Sequence, residues 1–372
     1  MTEDVADFEW RGEGEGAEVV LYAPNSAVAE RAFEETLLVA RLPGVVSPVY
    51  AAASSWESPL SRGFGWVAAS ETHAAPELLS APEWGLLLVA DAPVEGALGA
   101  PGEVSRLISR RLSEVALPGV RSAAEVREIS ESGALWSVEE GLIEEEDLSF
   151  FGSGFATGDA DALGRRSLSA GAWDWTRRGA LRPFRVAEIL DLDAAGEIGL
   201  ETGALALVVL AGAEDLGRLA LAGHRQRILT KIAGGEFGDP SDLPAAPVDT
   251  EETRDLLTAT GASANYAAGR AALIVYALRR ALGGDVGALR LRAAWAIGGL
   301  EERNGTVLHR DGLAAAEDGE ALVSGRSVAA GTGGMLGSAP PFDVAEEGGR
   351  WPWEEAGILT RWATLEPLGD PV

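Results

Sequence analysis

From Asp249 to Leu282 the apolar residues Leu256, Leu257, Ala267, Ala271, Ile274, Val275, Leu278 and Leu282 keep helical spacing, until Gly283 and Gly284 end the pattern. Asp249 is the predicted N-cap, with Glu252 three residues on in the position of a capping-box partner. This periodicity predicts a helix over about 250–282, with Gly261 the point at which it can break. Two other stretches, Trp84 to Ala90 and Gly203 to Gly212, are unbroken apolar runs of strand length, the pattern of strands covered on both faces. Both are expected in the core.

Turn residues cut the segment from Leu42 to Ser70 into short β-like runs. A shorter helix fits Glu103 to Val115, with Ile108, Leu112 and Val115 on one face and Pro118 as its stop. There is no internal repeat. No low-complexity stretch is long enough to serve as a linker, so the 372 residues read as one continuous domain, 1–372. With 47% hydrophobic residues and a mean hydropathy near zero, the chain can bury a substantial core.

Charge and cysteine content narrow the chemistry. The 58 acidic residues against 30 basic ones give a net charge of −28, and Lys231 is the only lysine. Such a field opposes phosphate backbones, whose binding depends on clustered cations, so nucleic acid is an unlikely partner on charge alone. With no cysteine there is neither a disulfide framework nor a thiolate ligand or nucleophile. The N-terminus is acidic, and the longest apolar run, Ala204 to Ala211, is far short of the roughly 20 residues a bilayer needs. No membrane association is expected, and a cytoplasmic location is the simplest expectation.

Several polar constellations invite a site reading and do not sustain it. His73, His224 and His309 lie far apart in sequence, without metal-ligand spacing. His309 is expected on the surface or behind a first layer of ligands, and His224-Arg-Gln-Arg227 is expected as a helix-terminal polar cluster. The run Glu144 to Asp147 lacks the alternating spacing of a calcium loop and is expected to be a solvated acidic loop. Gly331 to Gly337 lacks the Lys-Ser/Thr ending of a phosphate cradle and reads as a loop. The pairs Trp173/Trp175 and Trp351/Trp353 are expected to pack in the core or at its rim.

Five collinear stretches carry a resemblance. They are Leu-Pro-Gly-Val-Val-Ser-Pro-Val at 42–49 with Arg-Gly-Phe-Gly-Trp-Val-Ala at 62–68; Gly203 to Gly217; Asp242-Leu-Pro followed by Ser263-Ala-Asn-Tyr-Ala-Ala-Gly-Arg270; Leu308-His-Arg-Asp-Gly-Leu-Ala314; and, more loosely, Val344 to Arg350. Together these resemble the RtcB-type tRNA-splicing ligases, which serve RNA repair by joining 3′-phosphate and 5′-hydroxyl RNA ends with manganese and GTP. The resemblance is clearest over 42–350. It implies an α+β fold, a single RtcB-like domain with mixed β-sheets around a former active-site cleft.

Carried over residue by residue, the resemblance finds the site erased. The family's metal aspartate and bridging cysteine fall on Leu87 and Ala90, with Asp91 one step beyond. Its metal histidines fall on Pro183, Leu210 and Trp295, and its nucleophilic histidine falls on Glu346. Leu, Ala, Pro and Trp side chains have no carboxylate, imidazole or thiolate to offer a divalent cation. Glu346 beside Glu347 would repel a nucleotide triphosphate, and Arg350 is left as a structural remnant. The C-terminal Leu368 to Val372 lacks the family's guanine-contacting lysine. The expectation is a pseudoenzyme of the RtcB-like RNA ligase family, with no catalytic or cofactor-binding residues, no metal and no bound cofactor. It would be retained as a binding, regulatory or structural protein whose partner is an intact RtcB paralogue or another protein. The alternative is an active RtcB-type ligase with its ligands elsewhere, against which the absence of cysteine and the scatter of three histidines both count.

Overall fold

The computed structural model of the chain describes residues 8–13, 16–23, 26–53, 64–93, 108, 110–112, 114–115, 122–151, 158–169, 183–189, 204–238, 243–283, 287–303, 305–315, 321–323 and 359–364. The helices are α1 (Ser26–Val39), α2 (Ala123–Ser132), α3 (Ala134–Glu139), α4 (Gly164–Ser169), α5 (Glu214–Ala233) and α6 (Glu251–Leu282). The strands are β1 (Phe8–Glu13), β2 (Glu18–Ala23), β3 (Val45–Ala53), β4 (Phe64–Ser70), β5 (His73–Ala74), β6 (Glu83–Pro93), β7 (Pro183–Ile189), β8 (Ala204–Gly212), β9 (Ala246–Pro247), β10 (Leu289–Arg303), β11 (Thr306–Ala315), β12 (Ala321–Val323) and β13 (Leu359–Thr364).

Eleven of these strands form one sheet in the order β1-β2-β3-β4-β11-β10-β6-β8-β7-β13, with β12 paired to β11, while β5 and β9 make a separate pair. The sheet is mixed: β2 and β3 run parallel, and the other pairings are antiparallel. The fold class is α+β.

The predicted long helix is α6, and it is continuous through Gly261. Its N-cap is Thr250, whose hydroxyl accepts from the Thr253 N–H at 3.4 Å, rather than the expected Asp249. A glycine inside a helix costs about 1 kcal/mol relative to alanine. Here tertiary packing offsets that cost, because the small residues Ala259, Gly261 and Ala262 are buried and let neighbouring backbone come close. A methyl group placed on Gly158 would stand 2.7 Å from Ala262 Cα and 2.8 Å from both Ala262 N and the Ser130 carbonyl oxygen. Gly158→Ala should therefore lower stability by about 1–3 kcal/mol through overpacking of fixed backbone, measured as a shift in the denaturant midpoint.

The apolar runs form β6 and β8, as expected. Trp84, Leu86, Leu88 and Ala90 of β6 join Leu207 and Ala211 of β8 and Leu289 and Leu291 of β10 in one core with Ala267, Ala271, Ile274 and Leu278 of α6. Helices α2 and α3 add Val126, Ile129 and Trp136 to this core. A second core lies under α1, where Ala32 and Val39 meet Val19, Leu21, Val49, Ala51 and Trp66 of β2, β3 and β4. The turn into β3 uses Gly44 at φ 69, a conformation that favours glycine, and Ser70 Oγ closes it by donating to the Pro43 carbonyl at 2.7 Å. Of the helix expected at 103–115, residues 108, 110–112 and 114 are helical with Ile108 and Leu112 buried, Val115 is a bend, and the rest of that stretch lies outside the described residues. Among the described residues no helix is long and apolar enough to cross a membrane.

Candidate functional site

The five positions assigned to former metal ligands fall on β10, β6, β8 and β7, which lie side by side in the sheet. Trp295 is in register with Gly85, and Gly85 with Leu210. Pro183 pairs with Val209, the residue before Leu210, and Leu87 stands two residues beyond Gly85 on β6. Leu87 and Leu210, 123 positions apart in the chain (210 − 87), and Trp295, 85 further on (295 − 210), thus lie on adjacent strands within one patch of backbone. By strand alternation, positions 85, 87, 210 and 295 share the face of the sheet opposite to the one α6 covers.

Ala90 departs from this arrangement. It is 3% exposed and packs in the α6 core with Leu86 and Leu88. The physical reason is periodicity: a spacing of three along a regular strand sends residues to opposite faces, so positions 87 and 90 cannot line one site while β6 stays extended. Ala90 therefore does not share a face with positions 87, 210 and 295. Glu346, Arg350, the stretch Gly331 to Gly337 and the tryptophan pairs at 173/175 and 351/353 lie outside the described residues.

The histidines are better placed than the sequence indicated. His309 is fully buried in β11, not on the surface. Its Nε2 accepts from the Ala75 N–H at 3.0 Å, which leaves Nδ1–H to donate to the Val307 carbonyl at 3.2 Å. Burial pushes its pKa down to about 4, against the milder opposing pull of the Val307 and Ala68 backbone. His224 sits in the middle of α5 rather than at a helix end. Arg227 Nη2 donates to its Nδ1 at 2.7 Å, so its Nε2–H donates to the Ala162 carbonyl at 2.9 Å. Its pKa is lowered, first by burial and then by the Arg227 charge, with the Ala162 carbonyl and Asp255 opposing. His73 is half-buried, with Thr72 Oγ1 2.8 Å from its Nδ1 and its pKa lowered by burial. Thr72 and His73 resemble a nucleophile and its base, but among the described residues no carboxylate orients the imidazole.

The acidic run also divides. Glu144, Glu145 and Glu146 are exposed as expected, whereas Asp147 is buried and begins no solvated loop. It receives both terminal nitrogens of Arg279, at 2.5 and 2.9 Å, and the Glu144 N–H at 3.0 Å, while Arg279 Nε donates to the Leu289 carbonyl at 2.8 Å. Sequence reasoning missed this clamp, and nothing in a run of four carboxylates distinguishes the one that turns inward. Two residues of the stretch 263–270 were flagged by resemblance without a role. Asn265 Nδ2 donates to the Ser130 and Glu131 carbonyls at the end of α2, and Arg270 Nη1 donates to the Gly212 carbonyl at the end of β8.

The cations of α5 are engaged within the chain: Arg218 with Asp215, Arg225 with Glu77, Arg227 with Asp255, and Lys231 with Glu236 and Glu252. Among the described residues no three His, Cys, Asp or Glu side chains are grouped to hold a metal ion. No protein-family model and no curated protein matches the chain.

Proposed function

We propose that the chain is a degenerate homologue of the RtcB-type RNA ligases, with an RtcB-like arrangement of mixed β-sheet around a former active-site cleft. It lacks ligase chemistry and has a binding, regulatory or structural role in the cytoplasm, with an intact RtcB paralogue or another protein as partner. The observation that carries this reading is the meeting of positions 87, 210 and 295 on one face of three adjacent strands, where each residue lacks a donor atom for a metal, while Pro183 is in register with Val209 and so falls on the other face. The residues kept in the resembling stretches fit the same view. Gly44, Asn265, Arg270 and His309 each hold backbone in place, which is what selection for a scaffold would preserve once its chemistry had gone.

The test is direct. After dialysis the purified protein should hold no stoichiometric manganese or zinc, and incubation with labelled GTP and manganese should leave it unlabelled. Trp295→His should not restore manganese binding, since one imidazole without further donors is a weak ligand set. One tightly held manganese per chain, or covalent guanylate lost in Glu346→Ala, would reverse the proposal in favour of an active ligase.

A further inference from the structure

We infer that α5 and the segment 70–79 are docked on the rest of the fold by an acid-labile joint, a small apolar cluster bordered by all three histidines of the chain. The cluster consists of Ala74 of β5, Leu221 of α5, Leu256 of α6, Leu300 of β10 and Val307 of β11, with Leu79, Val248 and Leu257 packed against it. It is distinct from the core around α6, to which α5 also contributes Leu216 and Ala220, and from the core under α1, to which the segment also contributes Ala75 and Leu78.

Each histidine borders this cluster by a covalent or register relation. His73 is the neighbour of Ala74. His224 follows Leu221 by one turn of α5. His309 pairs across the strands with Leu300 and lies two residues from Val307, on the same face. Each docks something. The Nε2 of His309 holds the Ala75 N–H, and with it the 70–79 segment. His224 ties α5 to the 3-10 helix Ala160–Leu163, and through Arg227 and Asp255 to α6.

Both buried imidazoles must be neutral for these bonds to exist. A proton on His309 Nε2 would face the Ala75 N–H, and a proton on His224 Nδ1 would face the Arg227 guanidinium. The other charged groups on the elements packed against α5 are engaged or in solvent. Glu77 pairs with Arg225, Asp161 pairs with Arg127, and Arg165 and Arg166 of α4 are exposed. Between pH 7.5 and 5.5 carboxylates stay ionised, so these ion pairs persist while any imidazole released by opening takes up a proton. Opening that frees one imidazole becomes up to about tenfold more favourable over that interval, and opening that frees two becomes up to about a hundredfold more favourable. The α6 core contains no titratable imidazole and gains nothing of the kind.

Hydrogen exchange of the full chain at pH 7.5 and 5.5, corrected for intrinsic rates, reads this out. Peptides covering 216–228 and 72–79 should lose protection by up to about tenfold per imidazole freed, relative to peptides covering 266–278. His224→Gln should remove the acid response of the α5 peptides while leaving that of 72–79. Equal loss in all three regions, no loss in any, or an unchanged acid response in His224→Gln would overturn the joint. Should that variant fail to fold, imidazole resonances of the unmodified protein decide: His224 and His309 staying neutral below pH 6 supports it, and titration of both near 6.5 refutes it.

Discussion

Asp147→Ala is expected to lower the unfolding free energy by about 3 kcal/mol, the scale on which removing one partner of a buried pair acts. The loss is larger than for a surface ion pair because Asp147 is 7% exposed and Arg279 24%, so water compensates little of it. Both terminal nitrogens of Arg279 would lose their acceptor at once, and the Glu144 N–H would lose its own. The clamp joins the 3-10 helix Glu145–Phe151 to the last turn of α6 and, through the Leu289 carbonyl, to the start of β10. Phe151, at the end of that 3-10 helix, packs on Trp84 with ring centroids 5.2 Å apart, so loosening at 147 should propagate to the edge of the main core. Urea unfolding followed by tryptophan fluorescence measures the loss. An Asp147→Leu/Arg279→Met double variant should lose less than either single change, since no lone charge is left behind. A single variant within 0.5 kcal/mol of the parent, in the sense of a typical surface change, would mean the pair contributes nothing.

Acid should weaken the fold well above the range in which carboxylates titrate. His309 has a folded pKa of about 4 against an ordinary value of 6.5, so its neutral form stabilises the folded state. That contribution is fully present above pH 6.5 and is lost as the pH falls from 6.5 toward 4, where the folded state also begins to bind the proton. The whole interval amounts to about 3 kcal/mol, and the half between pH 6.5 and 5 can be read before most Asp and Glu side chains protonate. His224 and His73, whose pKa values are also lowered, act in the same direction. Gln at position 309 can still accept the Ala75 N–H, so His309→Gln isolates the titration from the hydrogen bond. The variant should be less stable at neutral pH but should show a slope between pH 6.5 and 5 smaller by up to one proton per chain. An identical slope in parent and variant would show that His309 is already charged in the fold.

The resemblance and the geometry bear on one another at particular residues. The stretches read as ligase-like supply Gly44 in a turn, Asn265 and Arg270 as caps on α2 and β8, and His309 as a buried acceptor. Each is a scaffold role, and none was assigned from sequence. A resemblance singles out residues but does not say which atoms they contact. Positions 87 and 90, paired only by the resemblance, both belong to β6, whose alternation sends them to opposite faces.

The sequence by itself determined what local periodicity and composition can carry. The course of α6 from 251 to 282, the buried strands β6 and β8, and the absence of thiol chemistry could all be read directly. Helical and strand periods are properties of neighbouring residues, and a strong stripe over thirty positions outweighs one glycine. Tertiary structure alone decided which polar groups are buried and with whom. Asp147 meets Arg279 across 132 positions, and His309 meets Ala75 across 234. Burial of a charge or an imidazole depends on partners that only folding brings near, and no local pattern around Asp147, His224 or His309 encodes them.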